Sequence, residues 1–271
     1  MSDLRPIGIF DSGVGGITVV KEIFRRLPRE RLVYLGDSAH TPYGPRSKEN
    51  IIKLSLNNAR FLISQDVKMI VIACNTASSH AAEIIRKKFP HIPVIDVIKP
   101  CARRAASCSS KSIIAVIGTQ GTIDSQVYKY AIEKINKRIQ IISKACPLFV
   151  PLVEEGITDI SLKHHIIKYY LEELKENGIN TIILGCTHYP LIRNEIKKYW
   201  GDRTLRILDS ATWTVKDVAE TLKANRMGNS FKRPLSAADH RYYVTDDPVK
   251  FIRVGSRFLG RKIQKAEKVE L

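Results

Sequence analysis

Two cysteines stand where the sequence predicts a reactive thiol. Cys74 follows the apolar run 69–73, Cys186 follows the run 181–184, and each precedes a segment with helical periodicity. The positive end of a helix stabilises a thiolate and lowers the pKa of a cysteine beside it. Polar side chains that can donate or relay protons come next at both places: Asn75, Thr76, Thr187 and His188. We therefore interpret Cys74 and Cys186 as acid/base groups rather than buried structural thiols.

Two thiols in similar surroundings suit one kind of reaction. If they face one substrate from opposite sides, one removes a proton from a carbon and the other adds a proton to the opposite face, which inverts a stereocentre without a carrier cofactor. The α-proton of an amino acid is very weakly acidic, so fixed donors must stabilise the developing carbanion. Asn75, Thr76 and Thr187 are candidate donors, and Asp11 and His188 are candidates for holding or relaying protons. Such residues also serve as caps and turns.

The remaining cysteines lack polar neighbours of this kind: Cys101, Cys108 and Cys146. We interpret them as structural or incidental. The chain has no C-x-x-C pair, which excludes a zinc ribbon or a thioredoxin-type motif. In a cytosolic chain all five cysteines are expected to be thiols.

The elements that must position these groups are short β-branched runs that alternate with amphipathic stretches, a pattern typical of parallel α/β proteins. Strands are predicted over 7–10, 31–35, 69–73, 94–97, 113–117, 139–143 and 181–184, and helices over 48–65 and 162–176. Ligands of such sheets bind at the carboxyl ends of the strands. Polar turns lie at five of these ends: 11–13, 36–38, 74–76, 118–121 and 186–188.

The first of these turns continues as a glycine-rich loop over 13–16. It lacks the complete G-x-G-x-x-G pattern, and no P-loop lysine follows it. Its glycines allow main-chain N–H groups to approach an anion at a helix N-terminus. We expect that anion to be a carboxylate rather than a nucleotide.

Two segments of the chain resemble later ones at nearly equal offsets. Residues 9–13 resemble 117–121, and residues 71–76 resemble 183–188. Each has the form of a strand, a small or polar turn and a helix, which predicts two similar α/β units. We expect the boundary near Lys99-Pro100, with a first domain of 1–98 plus the returning segment 210–271 and a second domain of 99–209.

Composition sets further limits. The 271 residues are 44% hydrophobic and 26% charged, which is typical of a soluble globular protein. The apolar runs are too short for a membrane span, and the N-terminus has no apolar signal core, so we expect a cytoplasmic protein that is full length as written. The net charge of +17 is spread in short clusters near helix ends, which favours a solvated basic surface over a nucleic-acid site.

Ten short motifs give the chain a family resemblance: Gly8–Gly16, Tyr34–Asp37, Pro42–Gly44, Ala73–Ala77, Gly118–Thr122, Cys146–Leu148, Pro151–Glu154, Gly185–Leu191, Asp209–Ala211 and Tyr243–Pro248. With them the chain resembles the glutamate racemases, the cofactor-independent Asp/Glu racemase family, from residue 7 to about residue 262. The Cys-Asn-Thr and Cys-Thr-His-Tyr-Pro blocks are its most specific parts.

The resemblance implies an isomerase that interconverts L- and D-glutamate without a cofactor and supplies D-glutamate for bacterial peptidoglycan. It implies two similar parallel-sheet α/β domains related by pseudo-twofold symmetry, with the active site between them. Glutamate is the implied partner, with no membrane and no nucleic acid, and a homodimer is one assembly that the resemblance allows.

The resemblance also assigns roles to single residues. It makes Cys74 the base toward D-glutamate and Cys186 the base toward L-glutamate. The groups around the amino and α-carboxylate ends are Asp11, Ser12, Asn75, Thr76, Thr187 and His188. Tyr43 and Gly44 lie near the side-chain carboxylate, and we expect the Tyr43 phenol to hydrogen-bond to it. Further site residues are Thr119, Thr122 and Glu154, with Asp11, His188 and Glu154 also assisting catalysis. Lys99 departs from the family, which more often carries an acidic residue there.

Three alternatives stay open at this stage. A racemase of aspartate or of a hydantoin would share the two cysteines, although Pro42–Gly44 and the Cys-Thr-His-Tyr block favour glutamate. A basic nucleic-acid-binding or topoisomerase-binding protein would explain the charge, but the sequence has no zinc finger, RNA-stacking motif or continuous basic stripe. A thiol redox sensor would use Cys74 and Cys186 themselves.

Overall fold

The structure is a computed structural model that describes residues 3–107, 113–201 and 204–271. The chain divides into two units, of which unit 1 comprises Met1–Val97 and Ala211–Leu271 and unit 2 comprises Ile98–Ser210. Cys108, interpreted above as structural or incidental, lies outside the described residues.

The strands of the described residues are, in chain order, β1 (Ile7–Asp11), β2 (Leu32–Gly36), β3 (Met69–Ile72), β4 (Val94–Asp96), β5 (Ile113–Gly118), β6 (Gln140–Ala145), β7 (Thr181–Gly185), β8 (Arg206–Asp209), β9 (Arg241–Val244) and β10 (Glu267–Lys268).

The α-helices are α1 (Ile17–Arg26), α2 (Lys48–Ser64), α3 (Asn75–Lys88), α4 (Ile98–Ala106), α5 (Gln120–Asp124), α6 (Val127–Glu133), α7 (Phe149–Glu154), α8 (Ile160–Glu176), α9 (Arg193–Trp200), α10 (Ser210–Ala224) and α11 (Pro248–Leu259). Short 3-10 helices cover Ser38–His40, Tyr189–Ile192 and Ala237–Asp239.

Both units contain a parallel sheet, and the two sheets share a strand order. The order in unit 1 is β10-β9-β2-β1-β3-β4, and the order in unit 2 is β6-β5-β7-β8. The segment β2-β1-β3-β4 therefore corresponds to β6-β5-β7-β8. In this correspondence β1 matches β5 and β3 matches β7, which are the strands that carry the two sequence similarities. The parallel α/β fold predicted from the sequence is confirmed.

The core of each unit is its sheet together with the helices packed on it. All residues of β1, β2, β3 and β7 are buried. Strands of a parallel sheet are covered on both faces by crossover helices, which explains their continuous apolar runs. Those runs made the strands recognisable, and each predicted strand agrees with the structure to within a residue or two at its ends.

Three strands were missed for an evident reason. β8, β9 and β10 begin with the exposed charged residues Arg206, Arg241 and Glu267, and β10 is only two residues long and exposed throughout. Such segments carry no long apolar run that would distinguish them from a loop.

The two predicted helices are present with well-defined starts. Ser47 accepts a hydrogen bond from Asn50 N at the start of α2, and Asp159 accepts one from Leu162 N at the start of α8. In the described ranges no helix is both long and apolar enough to cross a bilayer.

Candidate active site

The carboxyl ends of β1 and β3 bring together the predicted site residues of unit 1. These two strands are direct neighbours in the sheet. Asp11 ends β1, Ser12 follows it, and Cys74 stands between β3 and α3. The Sγ atom of Cys74 lies 3.7 Å from the Oγ atom of Ser12. Asn75 and Thr76 form the buried first turn of α3.

Cys74 is the N-cap residue of α3, as the sequence predicted. Its backbone is extended, and its Sγ atom accepts a hydrogen bond from the main-chain N–H of Ala77 at 3.4 Å. The side chain is 6% exposed, so solvent screens this interaction little. A main-chain N–H at a helix N-terminus and the helix dipole both favour a thiolate over a thiol.

The loop after β1 is held by close packing and by hydrogen bonds. The Oδ2 atom of Asp11 accepts from Gly13 N at 3.0 Å, and the Tyr34 hydroxyl donates to Gly13 O at 2.7 Å. A Cβ atom on Gly16 would lie 2.8 Å from the Asp11 Cβ and 2.9 Å from the Ala73 Cβ. Glycine is thus required at position 16 because the loop passes so close to the ends of β1 and β3.

Tyr43 does not present its phenol as we expected. The Tyr43 hydroxyl donates to Asp37 Oδ2 at 2.5 Å and accepts from Asn58 Nδ2 at 3.1 Å, and the residue is 1% exposed. The prediction of a phenol–substrate hydrogen bond is wrong for this arrangement, because the hydroxyl proton is already donated inside unit 1. The partner of this hydroxyl is Asp37, which the sequence identifies only as the last residue of the Tyr34–Asp37 motif.

In unit 2 a thiol, an imidazole and a carboxylate lie in a row beside the carboxyl end of β7. The Cys186 Sγ lies 3.7 Å from His188 Nδ1, and the other ring nitrogen of His188 lies 2.9 Å from Glu154 Oε1. Glu154 is the last residue of α7. Burial by itself lowers the pKa of His188, but the hydrogen bonds to Cys186 and Glu154 outweigh it and raise the pKa to about 10.

An imidazole with this pKa is protonated at neutral pH. The Cys186 sulfur therefore has a cationic neighbour at 3.7 Å. The resemblance placed Glu154 in the site, but only the structure shows that its carboxylate faces the imidazole of His188.

The helix predicted directly after Cys186 is different in the structure. A 3-10 helix, Tyr189–Ile192, comes first, and α9 begins only at Arg193. Cys186 therefore does not cap an α-helix, and this part of the prediction is wrong. The Tyr189-Pro190 sequence favours the tighter turn because proline lacks an N–H and suits the first positions of a helix. The polar group next to the Cys186 sulfur is the His188 imidazole instead.

Thr119 directly follows β5, the neighbour of β7, and Thr122 lies in the helix that comes next, α5. Thr119 is the N-cap of α5, and the hydroxyl oxygens of the two residues lie 3.0 Å apart. Thr187 is 4% exposed and follows Cys186 at the carboxyl end of β7. The structure therefore groups Thr119, Thr122 and Thr187 with Cys186 at one edge of the unit 2 sheet.

The other described cysteines are fully buried. Cys101 lies in α4 and Cys146 follows β6, and both are 0% exposed. Burial raises the pKa of the Cys146 thiol well above its usual range. Both properties fit inert thiols. In the part of the chain that the structure describes, no three His, Cys, Asp or Glu side chains converge as a metal site requires.

Comparison with known proteins places this arrangement in a family. Residues 7–218 match the family described as Asp/Glu/Hydantoin racemase. The chain is 47% identical to a glutamate racemase of Geobacter metallireducens over 268 residues, which is 98% of this chain and 97% of the relative.

Two solved structures are similar over nearly the whole chain. The glutamate racemase isoform RacE1 of Bacillus anthracis has a TM-score of 0.92 and 36% identity, with 98% of each chain covered. The glutamate racemase of Francisella tularensis, solved in complex with D-glutamate, has a TM-score of 0.91 and 40% identity, covering 99% of this chain and 98% of that one.

Proposed function

The chain belongs to the Asp/Glu/hydantoin racemase family, and from that membership we propose that it interconverts L- and D-glutamate by a two-base mechanism that uses Cys74 and Cys186. The observation that carries the proposal is the position of the two thiols. Each follows the corresponding strand of its unit, β3 or β7, in sheets of the same strand order. In this proposal the two units act as two catalytic domains, each supplying one thiol to one substrate.

The reaction moves two protons and no other atoms. One thiolate takes the α-proton of glutamate and becomes a thiol, which leaves a carbanion-like α-carbon. The opposite thiol gives its proton to the other face of that carbon and becomes a thiolate. The net change is inversion, and the enzyme ends with its proton on the other sulfur. Cys186 acts as the base toward L-glutamate and Cys74 as the base toward D-glutamate.

Each sulfur lies next to polar groups that support proton transfer. Cys186 faces the protonated imidazole of His188, which Glu154 holds in place. The Cys74 Sγ instead accepts from the Ala77 N–H and donates to the Ser12 hydroxyl oxygen. Fixed donors of this kind need no rearrangement when charge develops, which is the main source of electrostatic catalysis.

The remaining polar groups serve to hold the substrate. Asn75, Thr76 and Thr187 supply donors to the α-carboxylate, and Asp11 and Ser12 face the amino group. The turn that contains Tyr43 and Gly44 takes the side-chain carboxylate through its main chain. Thr119 and Thr122 complete the unit 2 side. No pyridoxal phosphate or metal takes part in the proposed reaction, and D-glutamate for peptidoglycan in the cytoplasm is its proposed use.

The test is to incubate the purified protein with L-glutamate in D₂O, with no added cofactor. The proposal expects loss of optical activity together with deuterium at the α-carbon of the product. Aspartate, measured in parallel, tests the aspartate racemase alternative. Cys74→Ser and Cys186→Ser should each lower racemisation by orders of magnitude, since the serine hydroxyl is a far weaker acid than the thiol.

Cys101→Ser is the matched control, because that buried thiol lies within α4 rather than at a strand end, and its loss should leave turnover unchanged. Substantial racemase activity in either of the first two variants would overturn the two-base mechanism. Turnover of aspartate but not glutamate would overturn the substrate.

A further inference from the structure

The carboxylate of Asp37 joins three segments of unit 1. Asp37 follows β2 directly and is 1% exposed. Its Oδ2 atom accepts a hydrogen bond from the Tyr43 hydroxyl at 2.5 Å. Its Oδ1 atom lies 2.8 Å from His40 Nδ1 and accepts from Thr245 Oγ1 at 2.8 Å. Hydrogen bonds to an ionised carboxylate are about twice as strong as neutral ones, so this is a firm junction.

Thr245 fixes the junction from the C-terminal side. Its Oγ1 atom donates to Asp37 and accepts a hydrogen bond from Ala39 N at 2.9 Å. The next residue, Asp246, donates its main-chain N–H to Ser38 Oγ at 3.0 Å. The 3-10 helix after Asp37 is thus tied to the segment after β9. These contacts give a structural reason for the Tyr243–Pro248 motif, which the proposed chemistry leaves unexplained.

Tyr43 connects these hydrogen bonds of Asp37 to the turn Pro42–Gly44, because it is the middle residue of that turn. Burial and then the charge of Asp37 raise the pKa of the Tyr43 phenol far above its ordinary value, so the phenol stays a proton donor. Its hydroxyl is directed to Asp37 and Asn58. Proline and glycine have no polar side chain, so the groups that this turn can offer to a carboxylate are main-chain N–H groups. Their position depends on where the Tyr43 ring is anchored.

We propose that Asp37 is a positioning residue that sets substrate chain length: by anchoring the Tyr43 phenol it fixes the turn that receives the distal carboxylate of the substrate. This inference rests on the proposed function. Aspartate is one methylene shorter than glutamate, and misplacement of a bound group by about 1 Å can cost about a hundredfold in rate. A turn held at one position discriminates between the two lengths, and a loosened turn discriminates less.

The test uses two variants that break the same contact from its two sides. Asp37→Asn removes the charge, and Tyr43→Phe removes only the hydroxyl. For each, we expect KM for glutamate to rise about tenfold while kcat changes less than about threefold, since substrate binding is lost and the thiols are untouched. The ratio of kcat/KM for glutamate to that for aspartate should fall. The double variant should be no worse than the more severe single variant, because both remove the same Asp37–Tyr43 contact.

Glu30→Gln is the matched control. Glu30 precedes the same strand at its opposite end and forms a buried ion pair with Lys68 at 2.6 Å. Its replacement should lower the thermal midpoint without changing KM or the glutamate-to-aspartate ratio. If Asp37→Asn does not fold, Tyr43→Phe still tests the contact.

The outcomes separate the two proposals. A wild-type protein that does not racemise glutamate overturns the proposed function. A wild-type racemase whose KM and substrate ratio are unchanged in Tyr43→Phe overturns the positioning role. A changed Asp37→Asn with a normal Tyr43→Phe also overturns it, because Asp37 would then act by another route.

Discussion

The imidazole of His188 lies 2.9 Å from the carboxylate of Glu154, a residue 34 positions earlier in the chain. This contact joins the end of α7 to the end of β7 and keeps the second ring nitrogen directed at the Cys186 sulfur. The thiol of unit 1 has a hydroxyl and a helix N–H in the equivalent place. The two thiols thus follow corresponding strands but have different polar neighbours.

Glu154→Gln tests this difference. The variant removes a negative charge that raises the pKa of His188, so that pKa should fall from about 10 toward its ordinary value. The imidazole would then lose its proton as the pH rises through a lower range, and the Cys186 sulfur would lose its cationic neighbour. We expect the alkaline limb of activity to move to lower pH. The measurement is elimination from the two enantiomers of 3-chloroglutamate across pH.

That substrate is needed because racemisation is symmetric at equilibrium, so kcat/KM for the two enantiomers must stay equal. Elimination reports only the first deprotonation. The shift should occur for the L form, which uses Cys186, and much less for the D form. An equal shift for both enantiomers would contradict the pairing of His188 with Cys186.

The same substrate tests the direction of each thiol. Elimination needs one base and no reprotonation, since the chloride leaves as the α-proton is removed. Cys74→Ser should therefore still eliminate from the L form, and Cys186→Ser from the D form, although both have lost racemisation. The product is followed as the keto acid that forms after hydrolysis of the enamine. The reverse pattern would exchange the two roles. Normal racemisation in both variants would instead show that the two thiols are buried structural groups.

Gly16→Ala tests the packing of the loop after β1. Its φ of −61° is ordinary, so the expected cost is steric alone. The new Cβ would lie 2.8 to 2.9 Å from the Asp11 Cβ, the Ala73 Cβ and the Tyr34 hydroxyl. Overpacking of this kind costs about 1–3 kcal/mol in the free energy of unfolding. The measurement is urea denaturation followed by circular dichroism.

Gly228→Ala is the control for that experiment, because nothing lies within 4 Å of a Cβ at that position. Its free energy of unfolding should match the wild type or exceed it slightly, since alanine restricts the unfolded chain. An equal loss of unfolding free energy at both positions would show that the close approach at Gly16 does not cause the loss.

His240 should make the protein sensitive to acid. Burial, and then the charge of Arg261, lower its pKa from 6.5 to about 4. Between these two values the unfolded chain binds a proton that the folded protein excludes, so stability falls as the pH falls through this window. One proton changes the free energy of unfolding by about 1.4 kcal/mol per pH unit. His240→Gln should flatten this slope in urea titrations at pH 4–7.

His91→Gln is the matched control, because His91 is exposed and should leave the slope unchanged. The same slope in wild type and His240→Gln would mean that His240 is protonated without unfolding. The packing observed argues against that, because the His240 ring lies 4.5 Å from the Phe24 ring, on which Arg261 also stacks.

The sequence predicted most accurately those strands whose composition is set by burial. The strands β1, β3 and β7 consist of apolar residues because both faces of a parallel sheet are covered, and their polar ends follow from the same topology. Cys74 was placed correctly at a helix N-terminus for that reason. β9 and the edge strand β10 were missed because their partly or wholly exposed residues form no apolar run.

The errors at the site have a different origin. The phenol of Tyr43 was assigned to the substrate because its internal partner, Asp37, cannot be recognised from spacing alone. The contact from Glu154 to His188 and the contact from Thr245 to Asp37 join residues far apart in the chain. Neither periodicity nor turn chemistry reports such pairs, since both describe neighbours in the sequence.

The shared strand order of the two sheets has a consequence for how such a protein arises. A half-length ancestor with one such sheet would carry a single thiol after its third strand. Alone, that chain could detach a proton and return it only to the face it came from, so it would exchange hydrogen without changing handedness. Duplication and fusion would provide the second sulfur, so that each copy serves one face. The imidazole–carboxylate pair in one half and the serine in the other are the divergence that such a division of labour permits.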